Sequence, residues 1–269
     1  MRLVKPACNS HKHTEIALSE RSQQSIQGTQ ENMASKKAVG SADIYQNVYN
    51  AIVEHRLMPG TKLSEERVAE LFNVSRTQVR SVLQRLAVQQ LVTLFPNRGA
   101  FVSQPSAQEA KDVLWIRRTL ETAAVERVIK RMQTEGGKEV LDTLKACLLA
   151  EQQARALGDR RQAVRLSGEF HVLLAELSGS SLLLRLVKEL TPLTCLAILT
   201  FETPTKSACP HDEHAQLLAC IEVGDIAAAK ECMEQHLLHI EHAMNLDDIQ
   251  GQEVDLAAIL LGTESTKLS

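Results

Sequence analysis

The sequence predicts a mainly α protein in two parts: a helix–helix–turn–helix–hairpin unit in front and an antiparallel bundle of about six helices behind. Three observations predict it. From Ser41 onward, apolar residues recur at helical spacing in one segment after another. A single pair of short β-type runs, residues 91–95 and 100–103, flanks the turn Pro96-Asn97-Arg98-Gly99. Aromatic residues are 3% of the chain against 44% apolar residues, so the cores must be built from Leu, Val, Ile and Ala, which suits helix packing.

The bulk properties set the outer limits. At 269 residues the chain has room for two ordinary domains. No apolar run approaches the ~20 residues needed to cross a bilayer, and the first residues contain no apolar signal region, so a cytoplasmic protein is expected. Six cysteines (Cys8, Cys147, Cys195, Cys209, Cys220 and Cys232) are scattered without CxxC spacing, which favours reduced thiols over disulfides or a zinc–cysteine site. The net charge of −3 is unevenly spread. Residues 1–40 carry six Lys/Arg and three Asp/Glu, residues 41–105 carry seven and five, and the remainder carries 17 and 25. A mildly basic front on an acidic back fits a small phosphate-contacting module on a separate body.

Residues 1–40 are polar and lack apolar periodicity, so they read as a disordered tail. Within them, Met33-Ala34-Ser35-Lys36-Lys37 offers an alternative translation start to Met1. Residues 41–105 form the front unit. Ile44, Val48, Ile52 and Val53 mark one face of a helix that ends before Pro59-Gly60. Ser64 caps a short helix containing Val68, Ala69 and Leu71. Asn73-Val74 is a turn, and Ser75-Arg76-Thr77-Gln78 has the form of a capping box opening a helix with Val79, Val82, Leu83 and Leu86 inward. The hairpin follows. This order is that of a winged helix-turn-helix.

Pro105 closes the front unit, and Ser106-Ala107-Gln108-Glu109 is a second capping box. Helical segments are expected at roughly 106–133, 137–156, 160–178, 181–200, 209–222 and 225–245. They are punctuated by Gly136-Gly137, Gly158-Asp159, Gly179-Ser180, Thr203-Pro204 and Gly224-Asp225. Residues 106–246 thus form an all-α domain, and 247–269 a weakly ordered tail.

A recognition helix needs donors at its N-terminal end, where base edges and phosphates meet it. Ser75, Arg76, Thr77, Gln78 and Arg80 crowd the first turns of the third helix. Arg bridges guanine bidentately, while Ser and Thr hydroxyls suit phosphates. Arg67 lies on the preceding helix, and Arg98-Gly99 at the hairpin tip is placed to border the minor groove. Any one of these arginines taken alone reads equally well as solvated surface; their order along the chain is what points to DNA.

The segments Leu57-Met58-Pro59-Gly60-Thr61-Lys62-Leu63-Ser64-Glu65, Asn73-Val74-Ser75-Arg76-Thr77-Gln78-Val79-Arg80-Ser81-Val82-Leu83 and Arg98-Gly99-Ala100-Phe101-Val102 resemble the GntR family of bacterial regulators. The resemblance implies a homodimer on a palindromic double-stranded operator, with DNA contacts at Arg67, Arg76, Thr77, Arg80 and Gly99. Val88-Gln89-Gln90-Leu91 departs from the family, which usually has Glu-Gly here; the departure removes a glycine from a turn.

In the back half, His171, His214 and His236 fall on apolar stripes of three different helices. A lone histidine on such a face is usually a satisfied core residue. Three on separate helices make a shared interior site attractive, because imidazole binds Zn, Ni, Cu and Fe. Arg117 lies on the stripe of Val113, Leu120 and Ala124, so its charge points inward and needs an anionic partner. Two are available: Glu121, four residues on, or the carboxylate of a bound effector. Arg118 is expected to face solvent or a subunit interface.

Ile116-Arg117-Arg118-Thr119-Leu120-Glu121, Glu169-Phe170-His171, Glu213-His214 and Gly224-Asp225 with Ala229, Met233, His236 and Leu237 resemble the FadR-type branch of the family, with its helical FCD domain. The resemblance implies a divalent metal (Zn or Ni) on His171, His214 and His236, and a small carboxylate effector that engages Arg117. An Asp four residues before the first His usually joins the site. Here that position is Ser167, which implies weaker metal binding or an effector or water as a further ligand. A metal-free pocket stays open as the alternative.

Taken together, the resemblance implies a transcriptional regulator whose operator affinity is modulated by a small organic acid. Two other classes stand beside it. One is a DNA-binding dimer without a ligand. The other is a three-histidine metalloenzyme, which the sequence disfavours because it has no HExxH pair or other evident general base.

Overall fold

The computed structural model describes residues 40–133, 137–201 and 213–246. The expectations for the two tails, the alternative start at Met33, Cys8 and Cys209, and the junctions at Gly136 and Thr203-Pro204 lie outside those residues. The described residues from Ser41 onward form one packed unit.

Helix α1 (Ser41–Val53) buries Ile44, Val48, Ala51, Ile52 and Val53 along one face. Strand β1 (Lys62–Leu63) follows, and then α2 (Glu65–Phe72). Ser64 caps α2 by accepting a hydrogen bond from the Arg67 backbone N–H, and Asn73 ends it in the left-handed region at φ 52°. Of the expected apolar residues of α2, Val68 and Ala69 are buried, but Leu71 is 66% exposed. A two-turn helix at the rim buries only one narrow stripe. Helix α3 (Arg76–Val88) opens at Ser75, whose Oγ accepts from the Gln78 N–H at 3.2 Å. Val79, Val82, Leu83 and Leu86 point inward as expected.

Strands β2 (Val92–Phe95) and β3 (Gly99–Val102) form the hairpin. Leu91 lies just before β2 and is fully buried. Gly99 sits at φ +96°, a conformation costly for residues with a side chain. The wing has a third strand that sequence reasoning did not find. β1 pairs antiparallel with β3, matching Lys62 to Phe101 and Leu63 to Ala100, so the sheet order is β1-β3-β2. Two residues are too short to show a period of two.

The back half comprises α4 (Ala107–Met132), α5 (Gly137–Ala156), α6 (Arg160–Leu177), α7 (Ser181–Phe201), α8 (Glu213–Val223) and α9 (Ile226–Ala243). Ser106 and Glu109 complete a capping box at the start of α4. The buried positions of α4 are Ala110, Leu114, Arg117, Glu121, Ala124, Val125, Val128 and Ile129. They recur every three or four residues and form a single seam, and two of them are charged. Helix α4 packs against all five other helices of the bundle. The core around it, including Leu114, Val128, Leu144, Phe170, Leu174, Leu217, Met233 and Leu237, is mainly aliphatic, with Phe170 and Phe201 as its phenylalanines. Each such side chain contributes roughly 1.5–3 kcal/mol of burial. Helix α7 continues through Pro192, and α6 approaches it closely at Gly168, where an added Cβ would lie 3.1 Å from Thr191.

The front unit is fastened to the bundle through α1, which packs on α3, α6 and α7. Tyr45 of α1 donates to Gln89 at 2.5 Å and carries the Arg85 guanidinium 4.0 Å above its ring. At the other end of α1, Glu54 lies 3.8 Å from Arg165 of α6.

Candidate functional site

The first candidate site, the face expected to meet DNA, is built from α2, α3 and the wing. A groove lined by Lys62, Glu65, Arg76, Arg80, Gln84 and Arg98 runs between α3 and the hairpin, with Gly99 in its wall. Ser75, Arg76, Thr77 and Arg80 are exposed on its α3 side, while Gln78 is half-buried. Arg98 is exposed and lies 5.3 Å over Phe95, whose ring meets Phe101 edge to face. Arg67 points to solvent and pairs with Glu70 at 3.0 Å. Arg80 is held by Glu65 through two hydrogen bonds of 3.0 and 2.8 Å. Lys62 was not singled out in the sequence. It joins this face because β1 exists, and its ammonium sits 5.9 Å from the Phe101 ring.

The second site lies inside the bundle. His171 of α6, His214 of α8 and His236 of α9 converge, although 65 residues separate the first from the last. The Nε2 of His171 is 3.2 Å from that of His214 and 3.2 Å from that of His236. All three side chains are buried. Phe170 stacks on His214 with centroids 4.5 Å apart and walls the cluster on one side.

Each imidazole is held from behind by a different glutamate. His171 Nδ1 donates to Glu121 of α4 at 2.6 Å, His214 Nδ1 to Glu151 of α5 at 2.8 Å, and His236 Nδ1 to Glu213 of α8 at 2.7 Å. Glu213 also accepts from His239. Burial by itself raises the pKa of Glu121 and Glu151. The opposing pull of Arg117 and His171 on the first, and of His214 and Arg155 on the second, holds both at about 2. They are ionised at neutral pH. Burial lowers His171 to about 3 and His236 to about 4, and the neighbouring Arg117 adds to both shifts against the pull of their glutamates.

This arrangement decides the tautomer. A neutral imidazole that donates from Nδ1 to a carboxylate carries its lone pair on Nε2. The Nε2 lone pairs therefore face one another at 3.2 Å, which is repulsive unless a cation lies between them. The separation is close to the ~3.3 Å edge of a tetrahedron with metal–nitrogen bonds of 2.0–2.1 Å. The donor set therefore fits a divalent metal, with the three glutamates orienting the ligands.

Ser167 is buried one turn before His171 on the same face of α6. Arg117 is 2% exposed. Its Nε donates to Glu121 at 2.6 Å and its Nη1 to Thr194 of α7 at 3.0 Å. Its Nη2 is buried with no hydrogen-bond partner. Of the two anions considered for Arg117, Glu121 is present, and it leaves one guanidinium nitrogen unsatisfied. Arg118, expected to face solvent or a subunit interface, is half-buried and pairs with Glu241 of α9 in its own chain.

Glu151 and Glu213 are the supporting residues sequence reasoning missed, and Glu121 was read only as a partner for Arg117. Glu151 carried a readable signal, since it continues the apolar stripe Val140, Leu144 and Leu148 of α5. An acid on such a stripe needs a buried partner. Nothing in the sequence links Glu213 to His236.

Residues 41–102 match the gntR family of bacterial regulatory proteins, and residues 112–239 match the FCD domain. The chain belongs to the GntR family. Among relatives of this GntR protein is the HTH-type transcriptional repressor RspR of Escherichia coli K12. It is 27% identical over 208 residues, covering 75% of this chain and 87% of that protein. The HTH-type transcriptional repressor GlaR of the same strain is 28% identical over 217 residues, covering 74% and 93%. In fold, the chain is similar to a putative GntR regulator from Rhodococcus sp. RHA1, with a TM-score of 0.66 at 22% identity over 75% of this chain and 95% of that one. Among the described residues, no helix is long and apolar enough to cross a membrane.

Proposed function

We propose that this GntR-family protein is a cytoplasmic transcriptional regulator that binds a palindromic operator as a homodimer and changes its affinity when a small carboxylate effector enters the helical body. One observation carries the reading: Arg117, whose Nη2 is buried without a hydrogen-bond partner, shares Glu121 with His171, one of three converged imidazoles. His171, His214 and His236 would hold the metal, Zn or Ni. Ser167 stands where an acid would have supplied negative charge, so the effector's carboxylate completes the charge balance and takes the hydrogen bond Arg117 has left.

On the DNA side, Ser75, Arg76, Thr77, Gln78 and Arg80 enter the major groove, Arg67 meets the backbone, and Arg98 with Gly99 borders the minor groove. Coupling runs through α1, which touches both the recognition helix and the bundle. Effector and operator must then alter each other's affinity by the same factor. Residues 41–105 act as the reading module and 106–246 as the sensor. Trp115, 62% exposed, and the neighbouring Ile116 on the outer side of α4 supply an apolar surface for the second copy.

Binding of the duplex upstream of its own gene, measured with and without Zn or Ni and a panel of small organic acids, tests the whole reading. Arg76→Ala is expected to cost about 1–3 kcal/mol on the operator and to relax discrimination at one base pair. Operator affinity indifferent to every acid, with a metal bound, would leave the DNA reading standing and remove the sensor. A second reading, a dimer that binds DNA without an effector, draws on the ion pair that Arg117 already makes with Glu121. That same indifference would support it.

A further inference from the structure

Helices α8 and α9 are neighbours in sequence, joined through Gly224 and Asp225, and they pack along each other. Where they meet, two thiols face one another. Cys220 Sγ of α8 lies 3.7 Å from Cys232 Sγ of α9. Both side chains are half-buried, so both are within reach of a small solute. The other described cysteines, Cys147 and Cys195, form no disulfide. The contact is absent from everything assigned above: neither sulfur touches a histidine, a glutamate of the metal cluster or the reading face in any hydrogen bond described.

We propose that Cys220 and Cys232 are a reversible oxidation site, closed to a disulfide by a hydroperoxide. The sulfurs are already in van der Waals contact, and bond formation needs them to approach to about 2.05 Å. That movement is small for two side chains on adjacent helices. The first thiol, as its thiolate, attacks the peroxide oxygen. An S–O bond forms, the O–O bond breaks, and the leaving oxygen departs as water or an alcohol after taking a proton. The second sulfur attacks the resulting sulfenic acid, forms the S–S bond and expels water. Two thiols lose two electrons and two protons, and the hydroperoxide is reduced. Burial and the adjacent Cys220 push the Cys232 thiol up to about 11, which disfavours it as the first nucleophile.

The consequence follows from what the hairpin carries. α8 supplies Glu213 and His214, and α9 supplies His236 and His239. The disulfide would staple these two helices within two turns of the imidazole cluster and restrict their opening. The inference does not rest on a metal being bound there.

The test uses the full-length reduced protein exposed to hydrogen peroxide, followed by non-reducing proteolysis and mass spectrometry. The expected product is a single crosslinked pair of peptides containing Cys220 and Cys232, lighter by two hydrogens and released by dithiothreitol. Titratable thiols should fall from six to four. Amide exchange across 213–243 should slow by several-fold in the oxidised form and recover on reduction. Cys220→Ser and Cys232→Ser should each abolish both changes while keeping wild-type melting in the reduced state. A crosslink to another cysteine, sulfinic acid at Cys220 in place of a disulfide, or no loss of thiols would each overturn the proposal.

Discussion

Glu65 of α2 grips Arg80 of the recognition helix with both carboxylate oxygens, at 3.0 and 2.8 Å, and the arginine still leaves 60% of its side chain open to solvent. An exposed ion pair of this kind contributes little to stability. Its effect is positional: the guanidinium is held over the groove in one rotamer before DNA arrives.

Loss of that grip should therefore show in specificity. Glu65→Gln keeps a hydrogen-bond acceptor for Arg80 but removes a negative charge from the phosphate-facing surface. Binding to random duplex should tighten, the log–log salt dependence should steepen by up to about one, and the ratio of operator to random affinity should fall. A ratio equal to wild type at matched salt would show that the pair does not position Arg80.

The histidine cluster makes a second prediction. Zn or Ni should raise the melting temperature of the wild-type protein, and His171→Ala should remove that increase. Ser167→Asp should tighten metal binding by roughly tenfold or more, because it puts an anionic ligand one turn before His171. Competition with a chromophoric chelator measures it. Unchanged affinity in the Asp variant would show that position 167 does not reach the ion.

Gln90 occupies the turn before the wing at φ 60°. The family resemblance placed a glycine there, and the backbone has kept the glycine-type conformation around a residue with a side chain. Gln90→Gly should relieve a left-handed strain of roughly 1–2 kcal/mol and lose part of it to the greater freedom of the unfolded chain, for a net gain of about 0.5–1 kcal/mol. Chemical denaturation of both proteins checks the sign.

His55, at the end of α1, makes a pH prediction. Burial, assisted by the charge of Arg160, lowers it to about 4, and its Nε2 is buried without a partner. The unfolded chain takes up a proton below about pH 6.5, whereas the folded chain does so only below about 4. Its contribution is therefore complete above pH 6.5, is lost as the pH falls from 6.5 to 4, and changes no further below that. The loss should reach about 2 kcal/mol after allowance for its partial exposure. His55 sits at φ 58°, which asparagine tolerates well, so His55→Asn should flatten this part of the profile. Urea midpoints at about pH 7.5 and about pH 5 for both proteins measure the difference.

Local chemistry alone was enough to read the helices. Ser64, Ser75, Ser106, Asp159 and Asp225 each cap a helix start with their own side chains, and the stripes on α1, α3 and α4 recur at the spacing the bundle buries. Such signals lie within a few residues of one another, so the order of letters contains them. β1 was beyond this reach, since two residues have no pattern until Phe101 and Ala100 arrive beside them.

The sequence by itself determined the two-part α architecture, the polar tip of the recognition helix and the three histidines with Arg117 turned inward, because helical periodicity fixes which face each side chain takes. Only the tertiary structure decided that those histidines meet, that Glu121, Glu151 and Glu213 stand behind them, and that Glu65 holds Arg80. Each of these relations joins different helices across 15 to 65 residues. Distance of that kind is set by how apolar seams pack in three dimensions, and no local spacing encodes it.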